Sequence, residues 1–251
     1  MSLAARLFFT IASTTSFAAG AAEPVGAIER LQGKVEILDG NSQPIAGSEG
    51  KGETKLRPGF ALRVGQTVRT GPDARVLLVF KEGRDGRANK VVLGAGSQLL
   101  IETAVNANDL RLGKKGTSLF LQKGEVRSAV EARYEKPGGY RIRTANAVAG
   151  VRGTRFFVAY DPARNRSDVA VTEGEVEFST EGGAIGVKAG LWGFAEGGAK
   201  PSDPLPIPAA LDAVKVDVPA IEANWAPAGG MRVIPPRSKG PTPSGPTKTL
   251  R

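Results

Sequence analysis

After residue 24 the chain alternates apolar and polar positions in short runs, with Gly, Asp or Pro between them. A period of two puts successive side chains on opposite faces, so such runs predict half-buried strands joined by tight turns. In AIERLQGKVEIL (27–38), Ile28, Leu31, Val35 and Ile37 are spaced around a Gln32-Gly33 turn. ALRVGQTVRTGPDARVLLVF (61–80) reads as a strand, a Thr70-Gly71-Pro72-Asp73 turn and a strongly apolar strand over Val76–Phe80. EGRDGRANKVVLGAGSQLLIE (82–102) predicts strands at Val91–Leu93 and Gln98–Glu102. Further on, YRIRT sets Tyr140, Ile142 and Thr144 against Arg141 and Arg143, a strand with one wet face. TRFFVAY carries Phe156, Val158 and Tyr160 on one face and Arg155, Phe157 and Ala159 on the other, so it should be buried on both.

One phrase recurs. LQGKVEIL (31–38), LQKGEVRSAV (121–130) and VTEGEVEFST (171–180) each hold Gly-(Lys/Glu)-Val between strand-like residues, at irregular spacing. Loose repetition of strand–turn–strand units, none able to bury its own apolar face, predicts an all-β fold. It would be either β-solenoid-like or a curled two-sheet stack of short strands. Composition agrees: 33 Gly and 17 Pro favour turns over long helices, and 41% hydrophobic residues can fill a core.

The ends differ from this middle. MSLAARLFFTIASTTSFAAGAAEP has one charge (Arg6), an apolar stretch and then small residues, the layout of a secretory signal peptide cleaved after Ala21 or Ala22. From about Lys200 prolines punctuate the chain, with at most a short helix near Ala209–Val214, and Trp225 is placed to dock this segment on the β domain. The stretch 231–251 contains Arg232, Arg237, Lys239, Lys248 and Arg251, five prolines and no acid, and reads as a basic flexible tail. The predicted organisation is a signal peptide (1–22), a β domain (23–198), a Pro-punctuated segment (199–230) and the tail (231–251). A periplasmic or secreted location follows from the leader. No later run is apolar and long enough to span a membrane. Loss of Arg6 with the leader lowers the formal charge from +9 to +8, which favours anionic cell-wall or lipid surfaces over nucleic acid in that compartment.

Absence of Cys and His excludes disulfides, thiolate nucleophiles, histidine bases and Cys/His zinc sites. GAGSQL (94–99) has Leu99 where a dinucleotide loop needs its third glycine, and GKKGTS (113–118) has the wrong spacing for a phosphate loop. Asp73, Asp85, Asp161 and Asp168 lie beside turn residues, where aspartate bonds its own backbone, and no pair stands out as acid and base. No enzyme activity, cofactor or metal is expected.

Between the strands YRIRT and TRFFVAY runs a stretch of small and β-branched residues, interrupted only by Asn146 and Arg152. Gly150 and Gly153 suit a sharp bend there. Arg152 would either tie down the corner or contact an anion or a partner. TANAVAGVRGTRFFV closely resembles the signature of the FecR domain, which runs Thr-Pro-x-Ala-Val-Ala-Gly-Val-Arg-Gly-Thr-x-Phe-x-Val. Ala145 stands in place of the usual proline, and Ala147–Thr154, Phe156 and Val158 all match. LFLQKGEVRSAV, VAVTEGEVEFS and VGQTVRTGPDARVLLVF resemble the flanking parts of that family, so the likeness covers about residues 25–195. It implies an extracytoplasmic, non-enzymatic β domain of β-solenoid-like form. In the best-known members that domain belongs to a membrane regulator that relays a receptor's signal to a sigma factor. This sequence shows no anti-sigma segment or internal span, so it resembles a stand-alone exported FecR-domain protein with a protein partner of the envelope. Ala149, Gly150, Val151, Arg152, Gly153 and Thr154 form the expected structural loop and a candidate partner contact. The alternative is a structural or glycan-binding envelope protein, with Tyr140 and Trp192 stacking on sugars.

Overall fold

The computed structural model describes residues 23–49, 54–81, 87–103, 116–131, 134, 139–151, 153–208, 218–223 and 225. The expected signal peptide, the basic tail and Arg152 all lie outside them, as does the Ala209–Val214 stretch read as a short helix.

The described chain is almost entirely strand. In order the strands are β1 (Gly26–Gln32), β2 (Val35–Leu38), β3 (Pro44–Gly47), β4 (Thr54–Lys55), β5 (Ala61–Leu62) and β6 (Thr67–Thr70). Next come β7 (Arg75–Lys81), β8 (Ala88–Leu93), β9 (Gln98–Thr103), β10 (Thr117–Ala129), β11 (Tyr140–Arg143) and β12 (Val148–Val151). The last are β13 (Arg155–Asp161), β14 (Arg166–Glu173), β15 (Glu175–Thr180), β16 (Gly183–Lys188), β17 (Leu191–Glu196) and β18 (Leu205–Pro206), followed by a short helix α1 (Val218–Ala223).

Hydrogen bonding joins the strands into one open sheet that folds into two layers. Layer A runs β5-β1-β7-β8-β10-β13-β14-β17-β18, and layer B runs β4-β3-β2-β6-β9-β10-β11-β12-β15-β16. The long β10 belongs to both. Its first half pairs with β9 and β11, and its second half with β8 and β13. Of the two expected architectures the curled two-sheet form is the one seen, antiparallel throughout the described residues except for β3–β4 and β10–β11. Inward residues of both layers share one core, including Val76, Phe80 and Val158 from A and Val68, Ile101 and Phe178 from B.

The recurrent Gly-(Lys/Glu)-Val phrase marks three of the places where the chain changes layer. Gly33 lies between β1 and β2, Gly124 within β10 where it passes from B to A, and Gly174 between β14 and β15. Their φ values are +73°, +89° and +86°, a left-handed conformation that side chains with a Cβ resist. Each glycine also presses against a second corner. Gly33 faces Ala74, Gly124 faces Ser97, and Gly174 faces Gly153 and Thr154. The chain therefore turns between layers at paired corners, each packed on a turn from elsewhere in the sequence.

The outer face of layer A is apolar, as the double-sided pattern of TRFFVAY implied. Leu77, Val92 and Ala129 are covered by Val218 and Ile221 of α1 and by Trp225. Arg75 lies over the Trp225 ring at 4.5 Å, and Lys90 and Arg30 bind the Glu222 carboxylate and carbonyl. Nearer the C-terminal edge, Phe157 and Ala170 pack with Ala159, Trp192 and Ile207.

Layer B presents a charged outer face. Arg69 donates through Nε and NH2 to the Glu36 carboxylate, at 2.9 and 2.5 Å. These bonds hold the Glu36 pKa below its ordinary 4.5. A depressed carboxyl pKa adds stability that is complete above the unfolded value and fades as pH falls through the folded one. Acidifying below about 4.5 should therefore lower the melting temperature of the native protein more steeply than that of Glu36→Gln, measured by thermal denaturation across pH.

Candidate functional site

Ala149, Gly150 and Val151 are strand residues rather than a loop. β12 pairs with β11 on one side and with β15 on the other, so Gly150 sits flat between Arg141 and Glu177. The expectation that Gly150 forms the bend is corrected: the ladder runs on to Val151 and confines the corner to the following residues. There Gly153 is exposed and Thr154 is buried. Thr154 Oγ1 donates to the Glu175 carbonyl at 3.1 Å, and its own carbonyl accepts the Val130 N–H at 3.0 Å. The corner thus ties β15 and the end of β10 together.

A second clasp lies at the other end of β12. Thr144 closes the turn after β11, its N–H donating to the Ala147 carbonyl while Ala147 N–H donates to Thr144 Oγ1. Thr144 Oγ1 also meets Ser167 Oγ at 2.7 Å, and Ser167 donates to Asn146 Oδ1 at 2.5 Å. Asn146 Nδ2 reaches across to the carbonyls of Asn165 and Ala195, and Tyr160 bonds the Asn165 side chain. One asparagine in layer B therefore joins two hairpins of layer A. Asn146→Ala would orphan several of these groups, Thr144 and Ser167 being buried. It should cost about 2–4 kcal/mol in urea unfolding. This role was missed from sequence, although a single large amide within a run of small residues was the available signal.

Tyr140 cannot stack on a sugar. It is 0% exposed, its ring meets Phe156 edge-on at 6.3 Å, and its hydroxyl lies 3.2 Å from Ser128 Oγ. The period-two pattern placed it correctly on the inner face, and that face is the core between the two layers. Trp192 is half-buried on the outer face of layer A, 5.3 Å from Phe194. Arg166 lies over Phe194 at 4.0 Å and over Trp192 at 5.9 Å, and is held by Asp168 and Glu196. Hydrogen bonding to Asp168 raises the Arg166 pKa further. Tyr140 and Trp192 thus lie on opposite faces of layer-forming strands and do not meet. Arg152, Arg232, Arg237, Lys239, Lys248 and Arg251 lie outside the described residues.

The family model described as FecR protein matches residues 66–177, from the start of β6 into β15. This stretch carries a FecR domain. The Thr154 clasp falls within it, as does the Asn146 clasp except for its Ala195 partner, together with the Gly124 crossing and the corner that receives Gly174. Two crystal structures of a candidate anti-sigma factor from Parabacteroides distasonis ATCC 8503, at 2.50 and 1.65 Å resolution, are similar in fold, each with a TM-score of 0.45 and 18% identity. Each likeness covers 59% of this chain and 62% of the other, under two thirds of its length. No curated protein matches the chain. Among the described residues, no helix is long and apolar enough to cross a membrane.

Proposed function

We propose that this FecR-domain protein is a non-enzymatic binding and signalling module of the cell envelope, exported by its N-terminal leader and contacting a protein partner through the β domain. The match over residues 66–177 supports this reading most. The signature segment fits it as well, because its side chains are spent on holding two sheets together. The basic segment 231–251 would add attraction to anionic envelope surfaces.

Cell fractionation with mass analysis of the mature protein tests the location. An exported product beginning after Ala21 or Ala22 is expected, and a full-length cytoplasmic product would contradict the proposal. For the tail, removal of Met231–Arg251 should release the protein from the envelope at low salt. Association that persists unchanged would rule that contribution out. The glycan-binding alternative now rests on Trp192 alone. It requires sugar binding that Trp192→Ala removes and that salt barely changes.

A further inference from the structure

Sheet edges are where a β protein offers unpaired backbone to another chain. Among the described residues, three of the four sheet edges are short: β4, β5 and β18 have two residues each, and β18 includes Pro206, which has no N–H to give. β16 is different. It has six residues and, among the described residues, pairs only with β15.

The phase of the ladder shows which backbone groups are open. Ala189 N–H donates to the Gly174 carbonyl, one rung beyond the Glu175–Lys188 pair. Antiparallel rungs alternate, so Val187, Ile185 and Gly183 also turn their backbone groups to β15. Ala184, Gly186 and Lys188 turn theirs outward. All three residues are exposed, whereas Ile185 and Val187 face inward beside Gly193.

The solvent face beside this edge is acidic in a protein of formal charge +9. Glu173, Glu175, Glu177 and Glu181 are all exposed; Arg155 pairs with Glu173 at 3.2 Å, Lys200 lies beside Gly183, and Lys188 is the one cation within 173–188. Glu175 leans over Gly186, with its Oε1 2.7 Å from where a Cβ would stand. The missing side chain leaves that carboxylate overhanging the open edge. A strand added to β16 would lie about 4.8 Å away, so a long cationic side chain opposite Gly186 reaches it.

We propose that β16 accepts an extended strand of a partner protein that carries Lys or Arg opposite Gly186. Backbone bonds to Ala184, Gly186 and Lys188 supply attachment, and the overhanging Glu175 carboxylate supplies selection by charge. A second copy paired through Gly186 would set two Glu175 carboxylates against each other, which disfavours self-association at this edge. The inference deepens the protein-partner reading. A partner that binds elsewhere would sink it and leave that reading standing, while the fractionation experiment tests the reading separately.

The test uses the isotope-labelled full mature chain and two capped heptapeptides, TTVRVTT and TTVEVTT, followed by amide chemical shifts. The arginine peptide should shift the amides of Ala184, Gly186 and Lys188 saturably and bind about three- to fivefold more tightly than the glutamate peptide. Glu175→Gln should abolish that preference. Gly186→Pro, or N-methylation of alternate peptide amides where the variant fails to fold, should abolish binding of both. No shift along β16 at about 10 mM peptide would overturn the proposal, as would equal binding of the two peptides. Binding that appears only after residues 231–251 are removed would assign the edge to the chain's own basic segment instead. Concentration-dependent shifts at these amides without peptide would assign it to a second copy.

Discussion

Tyr140→Ala should lower the unfolding free energy by about 3–5 kcal/mol, the cost of emptying a large buried site that cannot collapse. Tyr140 is fully enclosed between the layers and meets Phe156 edge-on, so its loss removes contacts from both. Tyr140→Phe keeps the ring and deletes only the hydroxyl beside Ser128. That should cost about 0.5–1.5 kcal/mol. Urea unfolding of the two variants separates packing from hydrogen bonding. A tyrosine serving as a sugar platform would give the opposite result: unchanged stability and lost glycan binding.

The second large effect is expected at Gly124. Alanine there must adopt φ near +89°, and its methyl group would overlap the Ser97 side chain. Ser97 has little freedom to withdraw, because its N–H donates to Thr70 Oγ1 and its hydroxyl accepts the Glu125 N–H. Left-handed strain and the displaced corner together should cost about 2–4 kcal/mol, read as a lower urea midpoint at unchanged slope. Wild-type stability in Gly124→Ala would mean that β10 can pass between layers without this corner.

Much of this fold was legible in the sequence. Alternation located β7, β11 and β13 and showed that β13 is covered on both faces, since Phe157 follows Phe156 in a strand that has no wet side. The recurrent glycine phrase was visible as a repeat, but its meaning was not. A local pattern shows that a turn occurs, and only long-range pairing shows that the turn carries the chain into the other layer. The same limit applied to Tyr140. Its face was evident, yet whether an inner face meets solvent or a second sheet depends on residues far away in sequence. Gly150 was misread because small residues suit a crowded strand interior as well as a bend. The Asn146 clasp depends on Asn165, Ser167 and Ala195, partners that no spacing rule brings together. The β16 edge emerged only from the register, since a Gly-rich strand looks the same whether its outer side is paired or open.

Native-state amide hydrogen exchange on the full mature chain probes the corner and the edge at once. A rigid signature segment lies beside an open strand. The amides of Ala147, Ala149 and Val151 should then exchange only with global unfolding, while those of Ala184, Gly186 and Lys188 exchange through local exposure. Rapid exchange at 147–151 would make that segment a mobile loop, and strong protection at 184–188 would close the edge; either result would contradict the account.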